Sequence, residues 1–103
     1  MIKSPKQKGY RHETECVDLA KKHGLDALRA FGSDGRSLGL QSDVDFVITH
    51  KEIKIKGQAK RRKSEPKYFK LGNSDILVYR ADRKRNKVVM DYEMFLKCLK
   101  RVH

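Results

Sequence analysis

Residues 42–63 read SDVDFVITHKEIKIKGQAKRRK, and the fold turns on how they are parsed. Positions 44–49 are β-branched or aromatic apart from a single acid, Asp45, which is the composition of a strand. Positions 52–60 then alternate strictly. Ile53, Ile55, Gly57 and Ala59 fall on one side, and Lys54, Lys56, Gln58 and Lys60 on the other. A period of two marks a half-buried strand, so Gln58 and Lys60 leave it in the same direction. An acid near the start of one strand therefore neighbours a Gln-x-Lys on the next. Three bases follow at once: Arg61, Arg62 and Lys63.

Toward the N-terminus, residues 1–7 (MIKSPKQ) form a short basic arm, and helical periodicity runs over 9–23. Cys16, Val17, Leu19 and Ala20 take its inward side. Lys21, Lys22 and His23 complement the C-terminal dipole, and Gly24 suits the C′ position. Glu13 lies one turn before Val17, at the edge of the buried stripe. Positions 25–31 make a first strand carrying Arg29, and 32–41 (GSDGRSLGLQ) a glycine-rich loop of the length that usually serves function. Toward the C-terminus, Ser64, Glu65 and Pro66 start a short helix that Gly72 ends after Leu71. A strand follows over 74–79, then a charged connection over 81–86 (ADRKRN) and a strand over 87–90. Asp91 caps a final helix over 92–101 with Phe95, Cys98, Leu99 and Val102 on one stripe. The order is αβββαββα: an α/β class with a mixed β-sheet flanked by helices, one domain over 1–103.

The chain carries a net charge of +12, and 37% of its residues are charged. Such a surplus calls for a polyanionic partner, nucleic acid before an acidic membrane surface. No apolar run is long enough to span a membrane and no signal-peptide core is present, so a cytoplasmic protein is expected. Cys16 and Cys98 sit on predicted helices among apolar residues, as buried free thiols and not as a disulfide. Without a C-x-x-C pair a structural zinc site is not expected. His12, His23, His50 and His103 show no ligand spacing and read as surface residues.

Hydrolysing a phosphodiester at neutral pH needs an activated water and compensation of the charge that builds on the phosphate. Carboxylates holding Mg²⁺ supply both, and a nearby lysine orients or deprotonates the water. Asp45 and Lys60 suit these roles, and Glu13 offers a second acid. Gln58 offers an amide oxygen without charge. The same residues also suit an ordinary strand end with solvent-facing Gln58 and Lys60, and spacing leaves both open.

Residues 8–62 resemble the archaeal-type Holliday junction resolvases of the PD-(D/E)xK nuclease superfamily. Five ordered matches carry the likeness. They are Lys8-Gly9 with Glu13 four residues on, Arg29 on the first strand, Gly32-Ser33 in the loop, Val44-Asp45-Phe46-Val47, and Gln58-Ala59-Lys60 followed by Arg61 and Arg62. The resemblance implies a restriction-endonuclease-like sheet. It implies Glu13, Asp45 and Gln58 as metal-site residues, the Ala59 carbonyl as a backbone ligand, and Lys60 as the water-positioning or general-base lysine. Arg29 and Ser33 would lie by the scissile phosphate. It further implies a two-fold homodimer that uses Mg²⁺, with Mn²⁺ able to substitute, to cut four-way branched double-stranded DNA symmetrically. Two positions depart: Gln58 stands where the family usually has Glu, and Thr14 where it often has Arg. The shortened C-terminal half suits a compact version such as a phage carries, acting in host cytoplasm.

For DNA backbone grip the candidates are Lys8, Arg11, Arg36, Arg61, Arg62, Lys63, Lys67 and Lys70. Lys54 and Lys56 share the face of Gln58. Tyr68 and Phe69 read as core or dimer contacts, ahead of base-stacking platforms. The leading expectation is a structure-selective endonuclease. Alternatives are a restriction-like or nicking nuclease on duplex or flap DNA, and a catalytically weakened module that binds branched DNA. RNA binding is disfavoured, since no strand carries an aromatic platform.

Overall fold

The computed structural model describes residues 5–63 and 69–100. It is an α/β fold with a five-stranded mixed sheet and two helices. Helix α1 spans Pro5–Lys22. It begins earlier than expected, because proline at the first helical position brings a preset φ and loses no needed N–H. Of the expected basic arm, residues 1–4 lie outside the described residues. The helix closes as its sequence indicates. Gly24, at φ 83°, donates to the Lys21 carbonyl, and Leu25 donates to that of Ala20, which is the Schellman pattern.

The strands are β1 (Asp26–Arg29), β2 (Phe46–His50), β3 (Ile53–Arg62), β4 (Ile76–Ala81) and β5 (Lys87–Met90), adjacent in that order. β1, β2 and β3 form an antiparallel meander, β4 runs parallel to β3, and β5 returns antiparallel to β4. The β2–β3 hairpin closes at the His50–Ile53 pair, with Lys51 at φ 55°. β3 runs two residues further than its alternation suggested, since Arg61 and Arg62 pair with Arg80 and Ala81. The start of β4 is stapled to β3: Asp75 N–H donates to the Lys56 carbonyl at 2.8 Å, and Lys56 N–H to Asp75 Oδ2 at 2.9 Å.

The expected helix between β3 and β4 falls largely on residues 64–68, outside the described residues. Its described end, residues 69–71, is not helical. The loop over 32–41 is partly ordered by two short 3-10 turns, Phe31–Ser33 and Gly35–Leu38.

One face of the sheet carries the core. Cys16, Val17 and Ala20 of α1 pack with Ala27, Phe46, Ile76 and Val78, flanked by Ile55 and Ala59 of β3. Gly57 is part of this packing, because a Cβ there would lie 2.4 Å from the Phe46 ring. Without it the ring lies across β3 fully buried, worth roughly 1.5–3 kcal/mol of apolar burial. Leu19, expected inward, is exposed instead, at the flank of the stripe. Helix α2 (Tyr92–Lys100) forms where expected, but buries none of its described residues. Phe95 and Leu99 are 45% and 50% exposed, so this apolar stripe is only partly covered.

Candidate active site

The ladder between β2 and β3 ends at the Phe46–Gly57 pair, and the candidate site is built where it stops. Asp45 N–H still donates to the Gly57 carbonyl at 2.9 Å. One step further along β3, Ala59 N–H finds the Asp45 side chain instead of a backbone carbonyl, donating to Oδ2 at 2.9 Å. The carboxylate thus replaces the next ladder bond. The N–H and C=O of a strand residue point to the same neighbour. The Ala59 carbonyl therefore faces this same edge, past the end of β2. Asp45 Oδ1 accepts no hydrogen bond from the described residues. Burial raises the Asp45 pKa against the opposing pull of Ala59 N–H and Lys60, and the nearby charge of Asp43 raises it further.

Gln58 and Lys60 lie beside Asp45, on the side of β3 opposite to Gly57, Ala59 and the α1 core. Beside Gln58 on β4, its register partner Leu77 is 1% exposed. Its Nε2 donates to the Leu71 carbonyl at 2.9 Å, and lies 3.4 Å from Asp43 Oδ2. Asp43 is itself gripped from the other side. Asn73 N–H donates to Oδ2 at 2.9 Å and Asn73 Nδ2 to Oδ1 at 3.2 Å. These bonds from Asn73, helped by the Lys56 charge, hold the Asp43 carboxyl below its ordinary pKa. Asp43 was missed in the sequence. The available signal was an acid two residues before Asp45, just outside the strand, which the strand's own periodicity does not reach.

Gln58 and Lys60 leave β3 on the side away from α1, Glu13 comes from α1, and Asp45 is near enough to the α1 core to act on Cys16 beside Glu13. Asp45, Gln58, Ala59 and Lys60 are together at the strand end. Glu13 is buried, at 5% exposure, on the sheet-facing stripe of α1. It and Asp45 both act on Cys16, whose thiol is pushed up to about 12, chiefly by burial with the charges of Glu15, Glu13 and Asp45 adding. A thiol so raised stays protonated and is no nucleophile. Arg29 pairs in register with Phe46 and stacks on the Tyr10 ring of α1, 5.4 Å from its centroid. It therefore belongs to the α1 face. The Ser33 side chain lies outside the described residues.

The basic candidates divide as well. Arg61 is engaged by Asp82, with Nη2 at 2.9 Å, and Arg36 by Asp34 at 2.6 Å. Arg11, Arg62, Lys63 and Lys70 are exposed. Lys67 and the Lys8 side chain lie outside the described residues. Phe69 packs on Tyr79, ring centroids 4.7 Å apart, on the face that carries Lys60.

His12 is the clearest correction to the surface assignment of the histidines: it is 3% exposed. Its Nε2 bonds Asn86 Oδ1 at 2.6 Å, and Asn86 Nδ2 donates to Glu15 Oε2 at 2.9 Å. Arg80 donates to Glu15 Oε1 at 2.5 Å. Because Asn86 uses its amide N–H on Glu15, its oxygen must accept, and His12 carries its proton on Nε2. Nothing in the helix periodicity announced this, since Asn86 lies in a hairpin 74 residues away. His23 and His50 are exposed, and His103 lies outside the described residues. Both cysteines are free thiols, Cys16 buried and Cys98 half-buried.

Among the described residues no three His, Cys, Asp or Glu side chains are grouped to hold a metal ion. Adjoining residues at the strand end do carry oxygen donors of a different composition: the Asp45 carboxylate, the Gln58 amide and the Ala59 carbonyl. Mg²⁺ binds through one or two carboxylates and keeps several waters, so this set fits a hard divalent cation. No described helix is long and apolar enough to cross a membrane. No protein-family model, no curated protein and no solved structure matches this chain.

Proposed function

We propose that this protein is a Mg²⁺-dependent DNA endonuclease with a restriction-endonuclease-like fold, acting on four-way branched DNA as a homodimer. The observation that carries the proposal is the Asp45 carboxylate bonded to Ala59 N–H where the β2 ladder ends, with Gln58 and Lys60 on the adjoining residues of β3. An antiparallel meander followed by a strand parallel to β3 agrees with the fold expected from the resemblance.

Asp45, Gln58 and the Ala59 carbonyl would hold the cation. When bound, it supplies charge compensation for the phosphate and a more acidic water. The chain's own part is positional. Asp45 is fixed by Ala59 N–H, so its free oxygen is preorganised. Lys60, close enough to stabilise the Asp45 charge, orients the attacking water. Exposed Arg62 and Lys63 continue β3 and would grip backbone phosphates next to the site. The surplus of positive charge serves contact with backbone phosphates, so recognition by shape and phosphates is favoured.

The test is cleavage of an immobile four-way junction beside a linear duplex of the same arms, in Mg²⁺ and in EDTA. Paired symmetric cuts in the junction alone are expected. They should be lost in EDTA and fall at least about 100-fold in Asp45→Asn, the scale of a lost transition-state charge contact. Equal cutting of both substrates would point to a general nuclease. The second reading, a branched-DNA-binding module, is favoured by one observation: a neutral amide occupies position 58. Tight junction binding without cleavage in Mg²⁺ or Mn²⁺ would replace the first proposal by that one.

A further inference from the structure

We propose that position 58 is built for an amide, and that Asp43 is the positioning residue that fixes it. In this arrangement the Gln58 nitrogen is held by Asp43 and the Leu71 carbonyl, and the amide oxygen is left as the ligand atom. The consequence for metal binding rests on the proposed Mg²⁺ site; the geometry of the cradle does not.

Among the described residues, the partners of Gln58 Nε2 are both acceptors. Nε2 meets the Leu71 carbonyl at 2.9 Å and Asp43 Oδ2 at 3.4 Å. An amide nitrogen carries two hydrogens and can serve both, whereas an ionised carboxylate has no hydrogen to offer either. A glutamate here would set an oxygen against a carbonyl and against a second carboxylate. Asp43 cannot easily swing away, because Asn73 holds both its oxygens. The turn is also shut down onto the pair. Gly72 sits at φ 57°, and a Cβ there would lie 2.3 Å from Asp43 Oδ2 and 3.0 Å from Gln58 Nε2. Asp43, the Leu71 carbonyl, Gly72 and Asn73 thus agree on one side chain at 58. Gln58 is then no damaged glutamate. The negative charge a glutamate would bring is supplied from one position further out, by Asp43, which already acts on Asp45.

Two measurements on the full chain decide this. The first is urea unfolding without metal, on wild type, Gln58→Glu, Gln58→Met, Asp43→Ala, Gln58→Ala and the Asp43→Ala/Gln58→Ala double variant. Gln58→Glu should unfold at lower urea than the nearly isosteric Gln58→Met, and the cost of Asp43→Ala should be smaller once Gln58 is alanine, leaving the part that belongs to the lost Asn73 bonds. A Gln58→Glu protein as stable as wild type would overturn the cradle. The second is Mn²⁺ binding followed by electron paramagnetic resonance. Gln58→Glu should bind no tighter than wild type despite its added charge. Asp43→Ala should weaken binding, by a ratio that shrinks at least about threefold in the Gln58→Ala background. Tighter binding by Gln58→Glu, or an equal Asp43→Ala effect in both backgrounds, would overturn the positioning role. Wild type that binds no Mn²⁺ would remove the proposed nuclease site, and the unfolding series alone would then decide the cradle.

Discussion

His12 is a buried imidazole whose second nitrogen, Nδ1, has no hydrogen-bond partner among the described residues. Burial lowers its pKa, the Asn86 bond and the Glu15 charge oppose this, and Arg61 and Arg80 lower it further. The net shift is downward, so the folded state holds the ring neutral where the unfolded chain, at the ordinary value of 6.5, has begun to protonate. The unfolded state then binds more protons. His12's contribution to stability is complete above that value and is lost as pH falls below it. Between about pH 7.5 and about pH 5.5 the urea midpoint should therefore decline. His12→Gln keeps a donor for Asn86 and has no titration, and should flatten that decline. An unchanged slope in this variant would show that the loss comes from other groups.

At the scale of elements, β3 divides the molecule into two chemistries. Its Gly57 and Ala59 side lies under α1 with Phe46, and its Gln58 and Lys60 side faces the 71–73 turn. α1 is tied to the far end of the sheet by polar bonds as well as by the apolar stripe. Glu15 accepts from both Arg80 and Asn86 across the β4–β5 connection. Burial works to raise the Glu15 carboxyl, but Asn86 and Arg80 together outweigh it and hold the group below its usual range. Glu15→Ala removes two charge-assisted bonds and leaves the half-buried Arg80 with the Lys84 carbonyl but without its acid, at a cost of about 2 kcal/mol. Urea denaturation should show a lower midpoint with an unchanged slope. A loss within about 0.5 kcal/mol would place this cluster with ordinary surface ion pairs.

For the molecule as a whole, the net charge of +12 sets how it would meet a polyanion. Binding that neutralises phosphates releases counterions, so log K falls linearly with log salt at about 0.9 per contact. Junction affinity, followed by fluorescence anisotropy between about 50 and 200 mM salt, should fall with a slope steeper than about −5. Arg62 and Lys63 are exposed and adjoin the site, and replacing both by alanine should lower the magnitude of the slope by about 2. Arg61→Ala should act mainly on stability, because Asp82 already engages that side chain. A slope unmoved by the Arg62 and Lys63 changes would shift the DNA-binding face elsewhere on the surface.

Local periodicity and end chemistry determined much of this protein by themselves. Strict alternation placed Gln58 and Lys60 on one side of β3, Gly24 ended α1, and the 87–90 strand formed with the bounds its composition suggested. Each depends on neighbours a few residues apart, whose steric preferences act wherever the chain lies. The placement of Asp45 at a strand start was legible for the same reason. Tertiary structure alone decided the rest. That β4 runs parallel to β3 depends on how the chain crosses the sheet, and that crossing brings Leu71 and Asn73 onto Gln58 and Asp43, 13 and 30 residues apart. The same long-range pairing buries His12 against Asn86, and separates Glu13 and Arg29 from the face of Gln58. Hydrogen bonds between distant residues leave no periodic trace, because the geometry that makes them exists only once the sheet has formed.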